Sequence, residues 1–228
     1  MPIVYRRVPF MTISSSTASA LEDIGVERNR IHVLHSGVDE PSVIVSERSA
    51  EPLFICAGRL VPHKRIDLLL RVWDLVRPVV GGTLMVMGDG PDRASLEALA
   101  GDGVVFTGRV GEDEKWRLLG QAWALIHPAH HEGWGIVIIE AAEVGTPAIG
   151  FNVPGVKDAI VNGKTGLLVD SETDLARQWI EIARNKSLRD LLSKGARRYA
   201  SNFRWGQVAR DFSVIASKVS QTPRVPST

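Results

Sequence analysis

Short apolar runs closed by glycine-bearing turns recur along most of the chain, and the stretches between them carry apolar residues three or four positions apart. Leu53–Ala57, Thr83–Met87, Val104–Phe106, Ala124–Ile126, Pro147–Ile149 and Gly166–Val169 read as strands. Ile66 to Val76 places Leu69, Val72, Trp73 and Val76 at helical spacing. Further helices are predicted for Asp92–Ala100, with Pro91 fitting its first position, and from near Glu112 past Trp116 and Leu119. Asp174–Arg184 and Leu188–Ala200 follow, and an amphipathic helix runs from about Trp205 to Val219, leaving 221–228 as a frayed tail. Strand and helix thus alternate about six times, which predicts an α/β, Rossmann-like fold: a mostly parallel sheet of about six strands with helices on both faces.

The first forty residues have a different texture. A short strand at Val8–Ile13, a helix capped within Ser14-Ser15-Ser16-Thr17 and ended by Gly25, and a strand at Arg30–Leu34 carry little apolar mass of their own. They read as the tail of a preceding domain. The division expected is therefore a connector over 1–40, a ligand-binding domain over 41–220 and the tail, with the polar stretch Pro41 to Pro52 as a linker.

In a parallel sheet of this kind, ligands sit at the carboxyl ends of the strands. The loops at 58–64, 88–91, 108–111 and 127–135 all follow strands and are expected to line one edge. The last of them opens the most unusual stretch, His131-Glu132-Gly133-Trp134-Gly135-Ile136-Val137-Ile138-Ile139-Glu140, in which two carboxylates bracket an apolar run. The run itself is compatible with a buried strand or a helix, with both glutamates solvated. The sequel Ala141–Pro147, with Gly145 suited to the position after a helix end, favours a helix. Buried carboxylates need hydrogen-bonding partners, which a neutral, hydroxyl-rich ligand would supply. A glycine-rich turn entering a helix also offers free N–H groups to an anion. Arg59 and Lys64, close together after the first strand, suit a diphosphate or form a solvated basic loop.

Composition narrows the choices. The chain has 228 residues, 44% hydrophobic and 23% charged, with a net charge of +1, so no overall field calls for nucleic acid or a membrane. The single cysteine, Cys56, lies in an apolar strand and reads as a core thiol; no run has the length of a membrane span. A cytoplasmic setting is expected. Gly88-Asp89-Gly90 lacks the third glycine of a dinucleotide fingerprint, since Arg93 stands there, and it follows the second strand. His127, His130, His131 and Glu132 lack zinc-site spacing, and Pro128 breaks the helix such a site needs. No Asp-x-Asp pair or Gly-x-Ser-x-Gly is present.

Several motifs in order resemble one family. Ser14–Thr17 with Ser36-Gly37-Val38-Asp39 resembles an interdomain connector, and Gly58-Arg59-Leu60-Val61-Pro62-His63-Lys64 a phosphate loop. Gly88-Asp89-Gly90-Pro91 and Phe106-Thr107-Gly108-Arg109-Val110 resemble nucleotide-side loops, and Glu132 to Glu140 resembles the Glu-x7-Glu signature. Asn162–Val169 and Phe203-Arg204-Trp205 resemble the closing segment and the start of the final helix. Together they resemble the C-terminal, donor-binding half of a retaining glycosyltransferase of family four with the GT-B fold. The resemblance implies transfer of a sugar from a nucleotide-diphosphate sugar with retention of configuration and no metal or other cofactor. It assigns Arg59 and Lys64 to the diphosphate and Glu132 to the sugar hydroxyls. It places Glu140 on the ribose and Arg109 and Val110 beside the base. Gly58, Gly88, Gly133, Trp134, Gly135 and Ile136 complete the donor site, several through backbone groups.

Trp134 stands where Phe is usual, and Pro154-Gly155 where two glycines are frequent. The resemblance also implies an N-terminal acceptor domain, in cis or in trans, through which a membrane-surface acceptor at the inner face could be reached. The chain by itself is then expected to bind donor and turn over little. Two other readings stay open: a non-catalytic nucleotide-sugar-binding subunit or regulator, and a GT-B nucleotide-sugar epimerase.

Overall fold

The structure is a computed structural model and describes residues 8–43 and 47–221. The expected frayed tail beyond Gln221 lies outside the described residues. At the N-terminal end, β1 (Phe10–Thr12) and β2 (Ile31–Val33) pair in parallel, with α1 (Ser15–Asp23) crossing between them. Ser14 caps α1, its hydroxyl accepting the Thr17 N–H at 3.2 Å. Its apolar core among the described residues is Ala18, Val26 and Ile31, with Phe10, Leu21 and Val33 packed around them, as small as the sequence indicates. It leans on the rest of the chain: the Ser16 N–H donates to the Asp158 carboxylate at 3.3 Å, and the His35 ring stacks on Trp134 at 5.0 Å.

The main sheet is built from β3 (Leu53–Ala57), β4 (Thr83–Met87), β5 (Val104–Gly108), β6 (Ala124–His127), β7 (Ala148–Phe151) and β8 (Gly166–Val169). Its six strands are ordered β5-β4-β3-β6-β7-β8, and every neighbouring pair is parallel. Between and after them run α2 (Ile66–Val80), α3 (Arg93–Leu99), α4 (Glu112–Gln121), α5 (Ile136–Glu143), α6 (Val156–Ala159), α7 (Glu172–Arg184), α8 (Lys186–Ala200) and α9 (Trp205–Gln221). Alternation along β3 divides the core in two. Phe54 and Cys56 face a layer shared with α2 and α7, where Trp73 and Trp179 pack 5.3 Å apart. Ile55 and Ala57 face the opposite layer, shared with α4, α5 and α8. The chain winds outward from β3 through β4 to β5, then returns to place β6 on the other side of β3. That reversal opens a crevice at the carboxyl ends of β3 and β6.

Three local expectations are corrected. Helix α2 continues past Val76 to Val80 with Pro78 inside it; Pro78 is exposed in the final turn, so the one ladder bond it removes lies next to the helix end. Pro91 lies in the turn before α3, and Asp92 occupies the N-cap. The stretch before Pro52 is more than a linker. Arg48 donates to the carbonyls of Gly120, Ala122, Val144 and Gly145 and to the Thr146 hydroxyl, which ties down the C-terminal ends of α4 and α5 together.

Candidate functional site

The four loops singled out in the sequence meet at the carboxyl edge of the sheet. The first three are zipped through backbone: Gly58 N–H donates to Met87 at 3.0 Å, Leu60 N–H to Asp89 at 3.0 Å and Gly88 N–H to Gly108 at 2.8 Å. At Gly88 a Cβ would sit 1.9 Å from the Gly58 carbonyl oxygen, so the glycine is required by loop-on-loop packing. After the short 3-10 turn Pro62–Lys64, Arg65 is held at φ 52 and swings the chain into α2, leaving Lys64 aimed inward.

The loops enclose a cleft of about 390 Å³. Of the residues expected at the site, Gly58, Lys64, Gly88, Arg109, Val110, Glu132, Ile136 and Glu140 line it. Arg59 does not: it is exposed and borders a small neighbouring pocket that it shares with Gly58, Lys64 and His127. Gly133 is exposed. The Trp134 indole is buried away from the cleft, stacked on His35 and edge-on to Phe203 at 4.9 Å, so at this position only the backbone is free to face a ligand. Gly135 caps α5 without any side-chain cap, so no side chain occupies the first N–H groups of that helix, whose first residues Ile136 and Val137 line the cleft.

Each glutamate of the bracketing pair is held by a lysine. Lys64 Nζ donates to Glu132 Oε1, with both side chains largely buried. Lys115, on α4, donates to Glu140 at 2.8 Å and to Glu112 at 2.7 Å. His127, at the end of β6, is 2% exposed, and its Nε2 lies 3.6 Å from Glu132 Oε1, just beyond hydrogen-bond reach. Burial pushes the Glu132 carboxyl up, but His127 and Lys64 outweigh it and hold the group at about 2. Burial likewise lowers the His127 imidazole, and Glu132 opposes this only in part. Burial pushes the Cys56 thiol up to about 12, as suits a core residue. Gly155 packs beneath the site. It sits at φ 83, and a Cβ there would lie 2.1 Å from the Glu132 carbonyl oxygen.

Two cleft partners escaped the sequence. Lys115 is 25 residues from Glu140, and nothing local marks that pairing. His127 stood out only as part of a histidine cluster. Among the described residues, no three His, Cys, Asp or Glu side chains gather as metal ligands would.

A family model described as "Glycosyl transferases group 1" matches residues 40–199. A D-inositol 3-phosphate glycosyltransferase of Nocardioides is 30% identical over 217 residues, covering 80% of this chain and 47% of the relative. A GDP-mannose-dependent alpha-(1-6)-phosphatidylinositol monomannoside mannosyltransferase of Mycobacterium tuberculosis is 33% identical over 147 residues, covering 54% of this chain and 35% of the relative. Among solved structures, Anabaena HepE in complex with UDP and glucose superposes with a TM-score of 0.79 at 18% identity, over 95% of this chain and 65% of that one. That likeness shows the fold. The chain spans about half the length of the first of these curated relatives.

Proposed function

The chain belongs to the group 1 glycosyl transferases, and on that premise we propose that its cleft is the donor site of a retaining, metal-independent glycosyltransferase that uses a nucleotide-diphosphate sugar. One observation carries the reading. Glu132 and Glu140 lie on the same cleft wall, each held by a lysine, with the uncapped N-terminus of α5 between them. From Ile136 to Glu140 a helix rises about 6 Å. A diphosphate seated over the helix start lies between the two glutamates, and the family resemblance assigns the ribose to Glu140 and the sugar to Glu132.

In this account Glu132 accepts hydrogen bonds from the sugar hydroxyls and Glu140 from the ribose. Backbone at Arg109 and Val110 borders the base. Gly58, Gly88, Gly133, Trp134, Gly135 and Ile136 supply close backbone approach. As an acceptor hydroxyl bonds to the anomeric carbon on the face the diphosphate leaves, the bond from that carbon to phosphate oxygen breaks, its electron pair leaves with the diphosphate, and the hydroxyl proton passes to a diphosphate oxygen. Lys64, with Arg59 swinging in from the rim, stabilises that charge, and these two cations take the place of a divalent ion. Glu132 stays ionised across the physiological range, as a hydroxyl acceptor must.

An acceptor domain, in cis or in trans, would complete the enzyme, and the chain alone would turn over little, because positioning both substrates supplies much of the catalysis. Among the described residues no helix is long and apolar enough to cross a membrane. We place the enzyme in the cytoplasm, with any membrane-surface acceptor reached through the acceptor domain. The test is release of nucleoside diphosphate from UDP-glucose, GDP-mannose and ADP-glucose. It is run with the chain alone and with an added acceptor-domain partner, and products are read by mass spectrometry. Slow hydrolysis of one donor, accelerated by the partner and reduced about a hundredfold or more in Lys64→Ala, supports the reading. An epimerised nucleotide sugar formed without acceptor would replace it with the epimerase reading.

A further inference from the structure

His127 lies outside the cleft lining, yet its placement is costly. It is 2% exposed, and neither ring nitrogen has a hydrogen-bond partner. A buried imidazole left in that state loses the hydration of two polar atoms without compensation. The charged groups acting on it are Glu132 and Lys64, the same two that form the ion pair of the cleft. Its Nε2 already stands 3.6 Å from Glu132 Oε1, so a small rotation of either side chain makes the bond.

The need for that bond arises when the site fills. Lys64 has two claims on it: Glu132 and the diphosphate. A diphosphate carries more charge than one carboxylate and draws the ammonium toward itself. Glu132 would then be left in a largely buried position without its cation, the arrangement that most destabilises a broken buried pair. We propose that His127 is the positioning residue for Glu132 in the donor-bound state: its Nε2–H takes over the carboxylate as Lys64 turns to the diphosphate, and holds it toward the sugar. One carboxylate oxygen is then fixed by the protein and the other is free for a hydroxyl. The inference rests on the donor-site reading above and extends it to a residue outside the cleft lining.

The test compares binding of a nucleoside diphosphate with binding of its sugar conjugate, by calorimetry, for the wild-type chain, His127→Leu and His127→Gln. The pairs are UDP with UDP-glucose, GDP with GDP-mannose and ADP with ADP-glucose. His127→Leu should weaken the sugar nucleotide about tenfold and the bare diphosphate by a clearly smaller factor, since both draw Lys64 from Glu132 but without the sugar water can solvate the carboxylate. His127→Gln, whose amide can donate from nearly the same place, should recover most of the loss. Equal weakening of both ligands, no weakening of the sugar nucleotide, or no recovery with Gln would overturn the proposal. Should His127→Leu fail to fold, the wild-type protein labelled with 15N-histidine decides. Adding the diphosphate must shift the His127 ring nitrogens, and unchanged resonances under saturation overturn the inference. A wild-type chain that binds none of these ligands removes the donor-site reading itself, and this inference with it.

Discussion

Glu132 is the residue on which the site's electrostatics converge, with Lys64 bonded to it and His127 close behind. Its carboxyl titrates at about 2 in the folded chain against 4.5 for an unperturbed group. Between those values the unfolded chain binds the proton and the native chain does not. The ionised form therefore contributes stability that is fully present above pH 4.5 and is lost as pH falls through about 2. Glu132→Gln is expected to flatten the loss of stability on acidification in that window, read from urea unfolding at a series of pH values; parallel curves for the two proteins would contradict it. Lys115→Met is expected to weaken nucleoside diphosphate binding several-fold, because it leaves Glu140 without its fixing donor. Binding unchanged in that variant would show that Lys115 is only a surface partner. The two glutamates and Lys64 were legible in the sequence because their spacing, beside glycines and after strands, is local. Lys115 and His127 were not: Lys115 lies 25 residues from Glu140, and His127, although near Glu132 in the chain, meets it only through the fold of the loop after β6, so both pairings appear only when α4, α5 and the strand ends are assembled.

The elements around the site are held by contacts that carry no chemistry. Arg48 bonds carbonyls at the ends of both α4 and α5. Arg48→Ala would strand those carbonyls and cost about 3 kcal/mol. For a chain of this length that lowers Tm by roughly 6–12 °C in calorimetry, with donor affinity little changed. Gly155→Ala drives a methyl against the Glu132 carbonyl at a backbone angle that resists any side chain. It is expected to weaken sugar-nucleotide binding more than binding of the bare diphosphate, and equal effects would argue that Gly155 serves stability alone. The strands were readable nearly to their ends because buried parallel strands are almost continuously apolar. The extent of α2 was not, because Pro78 looks like a stop until its exposed place in the last turn is seen. The Arg48 clip was unreadable too, because a polar stretch between prolines gives no sign of which carbonyls it will meet.

At the scale of the whole molecule, one topological fact organises the function. The strand order reverses between β3 and β6, and the loops after those two strands carry Lys64 and Glu132. The alternation of strands and helices foretold the sheet and the edge at which its loops gather. It did not foretell that Arg59 would stand on the rim, or that the Trp134 ring would turn inward to pack with His35 and Phe203 and so bind the N-terminal unit to the main domain. We propose that this crevice binds the diphosphate of a nucleotide sugar. Its most direct test is calorimetric titration of the chain with UDP, GDP and ADP, repeated with Arg59→Ala and Glu140→Ala. Saturable binding of one nucleotide is expected, weakened about tenfold or more by either substitution. No binding of any of the three, or binding indifferent to both substitutions, would contradict it.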